Sequence, residues 1–364
     1  MTSATSTVPA SPSSSRWASV EEAVLPAVVG LLVAAIIGDV LILSFGQNPG
    51  TVYRLLIEGT WGNAYGLGQV LYKATTLTFT GLAVAMGLRA GLFNIGAESQ
   101  LAAGGFLAAI VGLALPMGLP SIVTLPVFIL AAAVGGGVVG GIPGVLKAKF
   151  GAHEVITTIM LNFIVLALLN YVVAAHLRVE DSLHTANIRA GSLPRLSNYV
   201  GAFHGSAANV VIFVAIAAAI LAGWFLFRTR RGFELRAVGL QPDAAEYGGV
   251  NVGGVWWKTM ALSGAIAGIG GLNFVLGYKH YYEEAFASGA GYLGIAVAIV
   301  GRNHPLGVII AALVFATMSQ GGLAVNAVVP KQMVDVLQAV VIIAVAASVP
   351  EVRRLLLRSR KAGQ

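Results

Sequence analysis

The chain has 364 residues, 57% of them hydrophobic and 10% charged, with a mean hydropathy of +0.83. Soluble domains carry about 25% charged residues, and repeated apolar runs of about 18 or more residues read as membrane spans, so a soluble globular fold is excluded. The net charge of +7 matches basic loops beside a membrane rather than a nucleic-acid surface, and the absence of cysteine excludes disulfides and thiolate metal sites.

In chain order, residues 1–20 are rich in Ser, Thr and Pro and predict a disordered tail without a cleavable signal. The transmembrane domain is expected over 21–350 and a basic tail over 351–364. The fold class is all-α and polytopic, with about ten membrane helices, some short or broken. Spans are expected near 24–45, 70–88, 98–115, 121–146, 155–176, 209–227, 259–277, 290–300, 305–321 and 333–349. Residues 46–68 read as a polar connection with a short helix around Val52–Glu58. Lysine and arginine gather at Arg89, Lys147–Lys149, Arg228–Lys258, Arg302 and Arg353–Lys361, which places these stretches and both termini in the cytoplasm.

The stretch MGLRAGLFNIGAESQ, 86–100, interrupts apolar sequence with three glycines and several polar residues. Non-helical backbone at membrane depth survives only when buried in protein or lining a wet cavity, so this break marks a transport path. AGLFNIGAESQLAAGGFLAAIVG and ASGAGYLGIAVAIVGRNHPLG form a faint internal repeat of interrupted segments, the pattern that points to a midplane path. Thr158 and Asn162 share a helix face in HEVITTIMLNF, and either line that path or bond to a neighbouring helix. Asn94, Glu98, Gln100, Thr158 and Asn162 are the path candidates.

Other features have plainer readings. Glu154 opens a helix as an N-terminal carboxylate. Gly136, Gly140 and Gly144 form a close-packing face. The GxGxxG match at 289–294 follows no strand and reads as helix packing, and no ATP-binding GxxxxGK[ST] loop occurs. The six histidines lack ligand spacing, so neither a metal nor a cofactor is expected. The Tyr278, Tyr281 and Tyr282 cluster reads as an interfacial aromatic belt. In loop 228–258, Pro242 opens a short helix that Gly248 and Gly249 end.

Three motifs together resemble the membrane subunits of bacterial ATP-binding-cassette importers in the group serving nucleosides and simple sugars, related to branched-chain amino acid permeases. They are GLRAGLFNIGAESQ at 87–100, HEVITTIMLN at 153–162 and GYLGIAVAIVGRNHPLG at 291–307. FNIGAE and EVITTIMLN are most similar to the nucleoside branch, and Ser99 stands where that pattern has glycine. ELRAVGLQPDAAEYGGVNV, 234–252, resembles the region that docks on the ATPase, which implies coupling roles for Glu234, Arg236, Ala237, Gly239, Pro242, Ala245 and Gly249. The resemblance implies a bacterial cytoplasmic-membrane permease without its own ATPase site. It implies as partners a separate ATPase, a second permease subunit and an extracellular substrate-binding lipoprotein.

The expected function is therefore half of the path of an ATP-driven nucleoside importer. A simple-sugar permease of the same group is the nearest alternative. An ion-coupled secondary transporter using Glu98 as the titrating group is another. A membrane-embedded enzyme lacks a nucleophile–base pair.

Overall fold

The computed structural model describes residues 16–116, 119–191, 193–330, 332–345 and 347. Among them the helices are α1 (Arg16–Ser44), α2 (Pro49–Thr60), α3 (Ala64–Arg89), α4 (Ala97–Ala114), α5 (Ser121–Phe150), α6 (Glu154–Val172) and α7 (Val211–Arg228). There follow α8 (Arg230–Leu240), α9 (Pro242–Tyr247), α10 (Val252–Gly270), α11 (Leu272–Phe274), α12 (Ala290–Val300), α13 (Pro305–Val325) and α14 (Gln332–Val345). Each expected span contains a helix. Most of the expected N-terminal tail and the basic C-terminal tail lie outside the described residues, while α1 begins at Arg16.

Six helical stretches among the described residues are long and apolar enough to cross a membrane: α4, α5, α6 continued to Leu177, α7, α10 continued to Lys279, and α13. The bent pair α1–α2, turning by 112°, makes a seventh if counted as one span. With 11 residues, α12 is too short to cross a bilayer as a straight helix. Ten is thus the number of apolar segments among the described residues, and fewer than ten are long and apolar enough to cross.

Helix α3 occupies the centre, packed by α7, α10, α12 and α13. Its polar side chains are accommodated internally: the Thr75 and Thr78 hydroxyls donate to the Leu71 and Ala74 carbonyls at 2.8 and 2.7 Å. One apolar core joins Leu82 and Met86 of α3 to Met260, Val297 and Phe315. A second joins Phe79, Leu101, Phe128 and Leu272, and a third joins Ile42 and Val52 to Val329 and Met333.

Helices α5 and α10 pack through glycine. A methyl group added to Gly136 would meet the Gly264 carbonyl oxygen, and one on Gly144 would meet the Trp257 backbone. This close approach is the expected small-residue face. Asn48 caps α2 by accepting the Gly50 N–H at 2.8 Å, so the short helix expected near Val52–Glu58 extends further in both directions.

Several expectations change. Loop 228–258 is mostly helical: Thr229 caps α8 by accepting the Gly232 N–H at 3.0 Å, and Asn251 caps α10 by accepting the Gly254 N–H at 2.7 Å. Glu154 opens α6 as expected but forms an ion pair with Lys147 at 2.6 Å. The aromatic-belt reading fails for Tyr282, which is 1% exposed against Phe106 and Phe286. It is buried because two polar connections zip together: the Thr185 and Ile188 N–H groups donate to the Tyr282 and His280 carbonyls at 2.9 and 2.7 Å.

Candidate functional site

Helix α3 ends where Gly91 turns left-handed at φ +72°, and the Leu92 N–H returns to the Gly87 carbonyl at 2.9 Å. Residues 90–96 then run without regular structure before α4 begins at Ala97. Such backbone needs partners inside the protein, and polar side chains supply them.

The Asn94 and Gln100 amides pair reciprocally at 2.8 and 3.0 Å. Asn94 also donates to Ser263 Oγ at 2.8 Å and accepts the Gly96 N–H at 3.0 Å. Ser263 in turn donates to the Ala83 carbonyl at 2.6 Å. Asn162 donates to the Ile95 carbonyl at 2.9 Å and to Tyr292 Oη at 3.1 Å, and accepts the Ser99 N–H at 3.1 Å. Thr158 bonds back to its own helix, to the Glu154 carbonyl at 2.7 Å. Its contribution is packing beside Gly96.

Glu98 acts across the molecule. Gly289 and Gly291 donate their N–H groups to its two carboxylate oxygens at 2.7 and 2.6 Å. The carboxylate therefore closes the start of α12, whose N-cap Gly289 has φ +85°. A carboxylate at a helix N-terminus satisfies unpaired amides and complements the dipole. The GxGxxG match thus serves close approach, since a methyl on Gly291 would meet Glu98 backbone and one on Gly294 would meet Thr80.

All five sequence-derived path candidates meet in one region and are at most 4% exposed. None lines the adjoining cavity of about 630 Å³. Its walls are Tyr72, Lys73 and Thr76 of α3, Phe274, the turn from Phe286 to Gly289, Tyr292, Ser319 of α13, and Asp335 and Gln338 of α14. Gly289 and Tyr292 belong to both sets: they line the cavity and bond to Glu98 and Asn162. The candidates lie one layer behind the wall. Sequence reading passed over Lys73, Ser263 and Asp335, although a lone polar residue inside an apolar span is the signal that finds them.

At the far end of α3, α8 and α9 form a hairpin. Gly239 of α8 lies so close to Arg89 and Ala90 that an added methyl would meet the Arg89 carbonyl oxygen. Arg89 donates from Nε to the Asn303 carbonyl at 2.9 Å, and the Arg89 and Arg236 guanidiniums lie 5.6 and 5.4 Å from the Phe227 ring centre. Basic residues of α3 and α8 and the Arg302–Asn303 turn thereby gather at one end. Ala245 packs inward, Glu234 pairs with Arg230 at 3.0 Å, Pro242 starts α9, and Gly249 ends it at φ +81°. Ala237 is half-buried, while Leu240 and Tyr247 are 84% and 95% exposed.

Residues 66–346 match the family described as the permease component of branched-chain amino acid transport systems. The chain belongs to this permease family. It is 36% identical over 329 residues to the guanosine ABC transporter permease protein NupP of Bacillus subtilis, covering 88% of this chain and 92% of that protein. It is 31% identical over 330 residues to the nucleoside ABC transporter permease protein NupB of Lactococcus lactis, covering 89% and 90%. It is 33% identical over 327 residues to the glucose ABC transporter permease protein TsgB13 of Haloferax volcanii, covering 87% and 85%. No solved structure matches the chain significantly. A permease of this family is a multi-pass membrane transport component, in agreement with the spanning helices.

Proposed function

We propose that this permease forms one half of the path of an ATP-driven importer and that its cargo is a nucleoside. The observation that carries the substrate reading is the cavity beside α12. Its volume of about 630 Å³ is in the range of small-molecule sites, and it combines Tyr72, Phe274, Phe286 and Tyr292 with Lys73, Thr76, Asp335 and Gln338. Aromatic faces suit a base, and the polar groups suit base edges and ribose hydroxyls. The guanosine and nucleoside permeases among its relatives support the same substrate class.

The work comes from a separate ATPase that docks on the α8–α9 hairpin, on the cytoplasmic side where the basic residues gather. Leu240 and Tyr247 supply the exposed apolar contact. Motion of the hairpin reaches the end of α3 through Gly239 against Arg89 and Ala90. From there the Asn94–Gln100–Ser263 knot and Glu98 carry it to the start of α12, which forms the cavity wall. A second permease subunit completes the path, and an extracellular binding protein delivers cargo.

A simple sugar is the second reading, favoured by the similarity to the glucose permease. Competition separates the two: unlabelled guanosine should abolish uptake of labelled guanosine while glucose in large excess leaves it unchanged, and the reverse pattern selects the sugar. An ion-coupled mechanism through Glu98 is disfavoured, because both of its oxygens are held by amides rather than facing the cavity.

A further inference from the structure

A second cavity, of about 690 Å³, lies between α7, α8 and α10, and nothing in the transport path uses it. Along α10 it touches Gly254, Lys258, Leu262, Ile266 and Ile269, whose spacing of three or four residues puts them on one helix face. The stretch from Gly254 to Ile269 spans about 22 Å at about 1.5 Å per residue. The facing wall on α7 includes Leu221 and Trp224, which are 62% and 60% exposed on the outside of the bundle. The cavity is therefore a long apolar groove open toward lipid, with a shape suited to an extended chain.

Its polar lining is gathered at one end. Arg231 and Lys258 stand there without an ion pair among the described residues, and Lys258 lies 5.8 Å from the Trp257 ring centre. Glu234, the acidic residue of the lining, is already matched by Arg230 at 3.0 Å. An apolar groove between membrane helices, topped by unmatched cations on the side of the basic loop, has the features of an anionic-lipid site.

We propose that the groove holds one acyl chain of an anionic phospholipid, with the headgroup phosphate on Arg231 and Lys258. The lipid would sit against the base of α8 and so bear on the hairpin that the proposed function assigns to ATPase docking. Binding itself depends only on the groove and its two cations.

The test uses the full chain, purified with whatever subunits accompany it, and titrated with phosphatidylglycerol or phosphatidylcholine carrying brominated acyl chains. Bromine in the groove quenches Trp224, so the quenching component should vanish in Trp224→Phe. Phosphatidylglycerol should bind about thirtyfold more tightly than phosphatidylcholine, because two basic residues face its anionic headgroup. The Arg231→Gln/Lys258→Gln double variant should lose that preference. A Lys149→Gln/Arg302→Gln variant, equal in charge and outside the groove lining, should keep it. Equal binding of the two lipids by the unaltered chain would overturn the proposal even if the double variant fails to fold. Equal loss in the control variant would overturn it too, as would no quenching by either lipid, which would mean that protein covers the groove.

Discussion

Glu98 Oε2 accepts the Gly291 N–H at 2.6 Å, tying the first turn of α4 to the start of α12 across 193 positions of chain. The two interrupted segments that look faintly alike in sequence are thus joined in space by one carboxylate. Removing it in Glu98→Ala leaves the buried Gly291 amide without an acceptor, at a cost of about 1–3 kcal/mol, and frees the half-buried Gly289 amide at a smaller cost. Glu98→Gln keeps one acceptor and should lose about half as much. Thermal unfolding in detergent would rank the two. Lost uptake in Glu98→Ala with unchanged thermal stability would instead place Glu98 at the substrate.

Gly239 has no room for a side chain, because the neighbouring atoms are the Arg89 and Ala90 backbone. Gly239→Leu should separate α8 from α3, abolishing uptake while leaving membrane insertion near normal. Uptake and membrane-fraction level measured together check this, and undiminished uptake would remove the hairpin from the coupling route.

Leu240 and Tyr247 are the large apolar side chains most exposed on the hairpin. Burying a charge in an apolar interface is costly, so Leu240→Asp and Tyr247→Asp should each weaken capture of the ATPase by at least tenfold. Co-purification of the ATPase with tagged permease provides the readout. Full capture by both variants would put the docking surface elsewhere.

Tyr72→Leu and Asp335→Asn alter the cavity wall without touching the polar knot behind it. Each should raise the KM for the transported nucleoside by roughly 5–30-fold, equivalent to about 1–2 kcal/mol of lost contact. Initial-rate uptake over a range of nucleoside concentrations would measure it, and an unchanged KM in both would remove this cavity from the path.

Burial, and then Arg89, push the His304 pKa below its ordinary 6.5, and burial, followed by Arg195, does the same to His280. Neutral His304 caps α13, its Nδ1 accepting the Leu306 N–H at 3.3 Å. The unfolded chain therefore binds protons before the folded one does. Stability from these imidazoles is complete above about pH 6.5 and falls as pH drops toward the depressed native values. Thermal unfolding between pH 7.5 and 5 (roughly the histidine range) should show that decline, and His304→Gln should lessen it, leaving the share from His280. A variant as pH-sensitive as the parent would contradict the assignment.

Much of the fold was legible because membrane helices announce themselves by apolar length. The break after Met86 was legible because Gly91 and Asn94 interrupt such a run. Helix α8 was not read from RTRRGFELRAV because its basic residues look like a solvated loop. The Thr229 cap and the Arg230–Glu234 spacing were its local signals. Tyr282 escaped because the strand-like pairing that buries it joins two polar connections far apart in sequence. The path candidates come together one layer behind the cavity wall, a placement that sequence does not give because it distinguishes polar from apolar and not wall from support. Asn162 illustrates this: its side chain is occupied by Ile95, Ser99 and Tyr292.

Nucleoside uptake into proteoliposomes holding the permease with its ATPase and second membrane subunit tests the central claim most directly. With binding protein outside and ATP supplied at the ATPase face, a labelled nucleoside from a purine and pyrimidine panel should accumulate, and withholding ATP or omitting the ATPase should stop it. Accumulation by this chain alone, driven by an ion gradient, would contradict the account, as would ATP hydrolysis by the purified chain without partners.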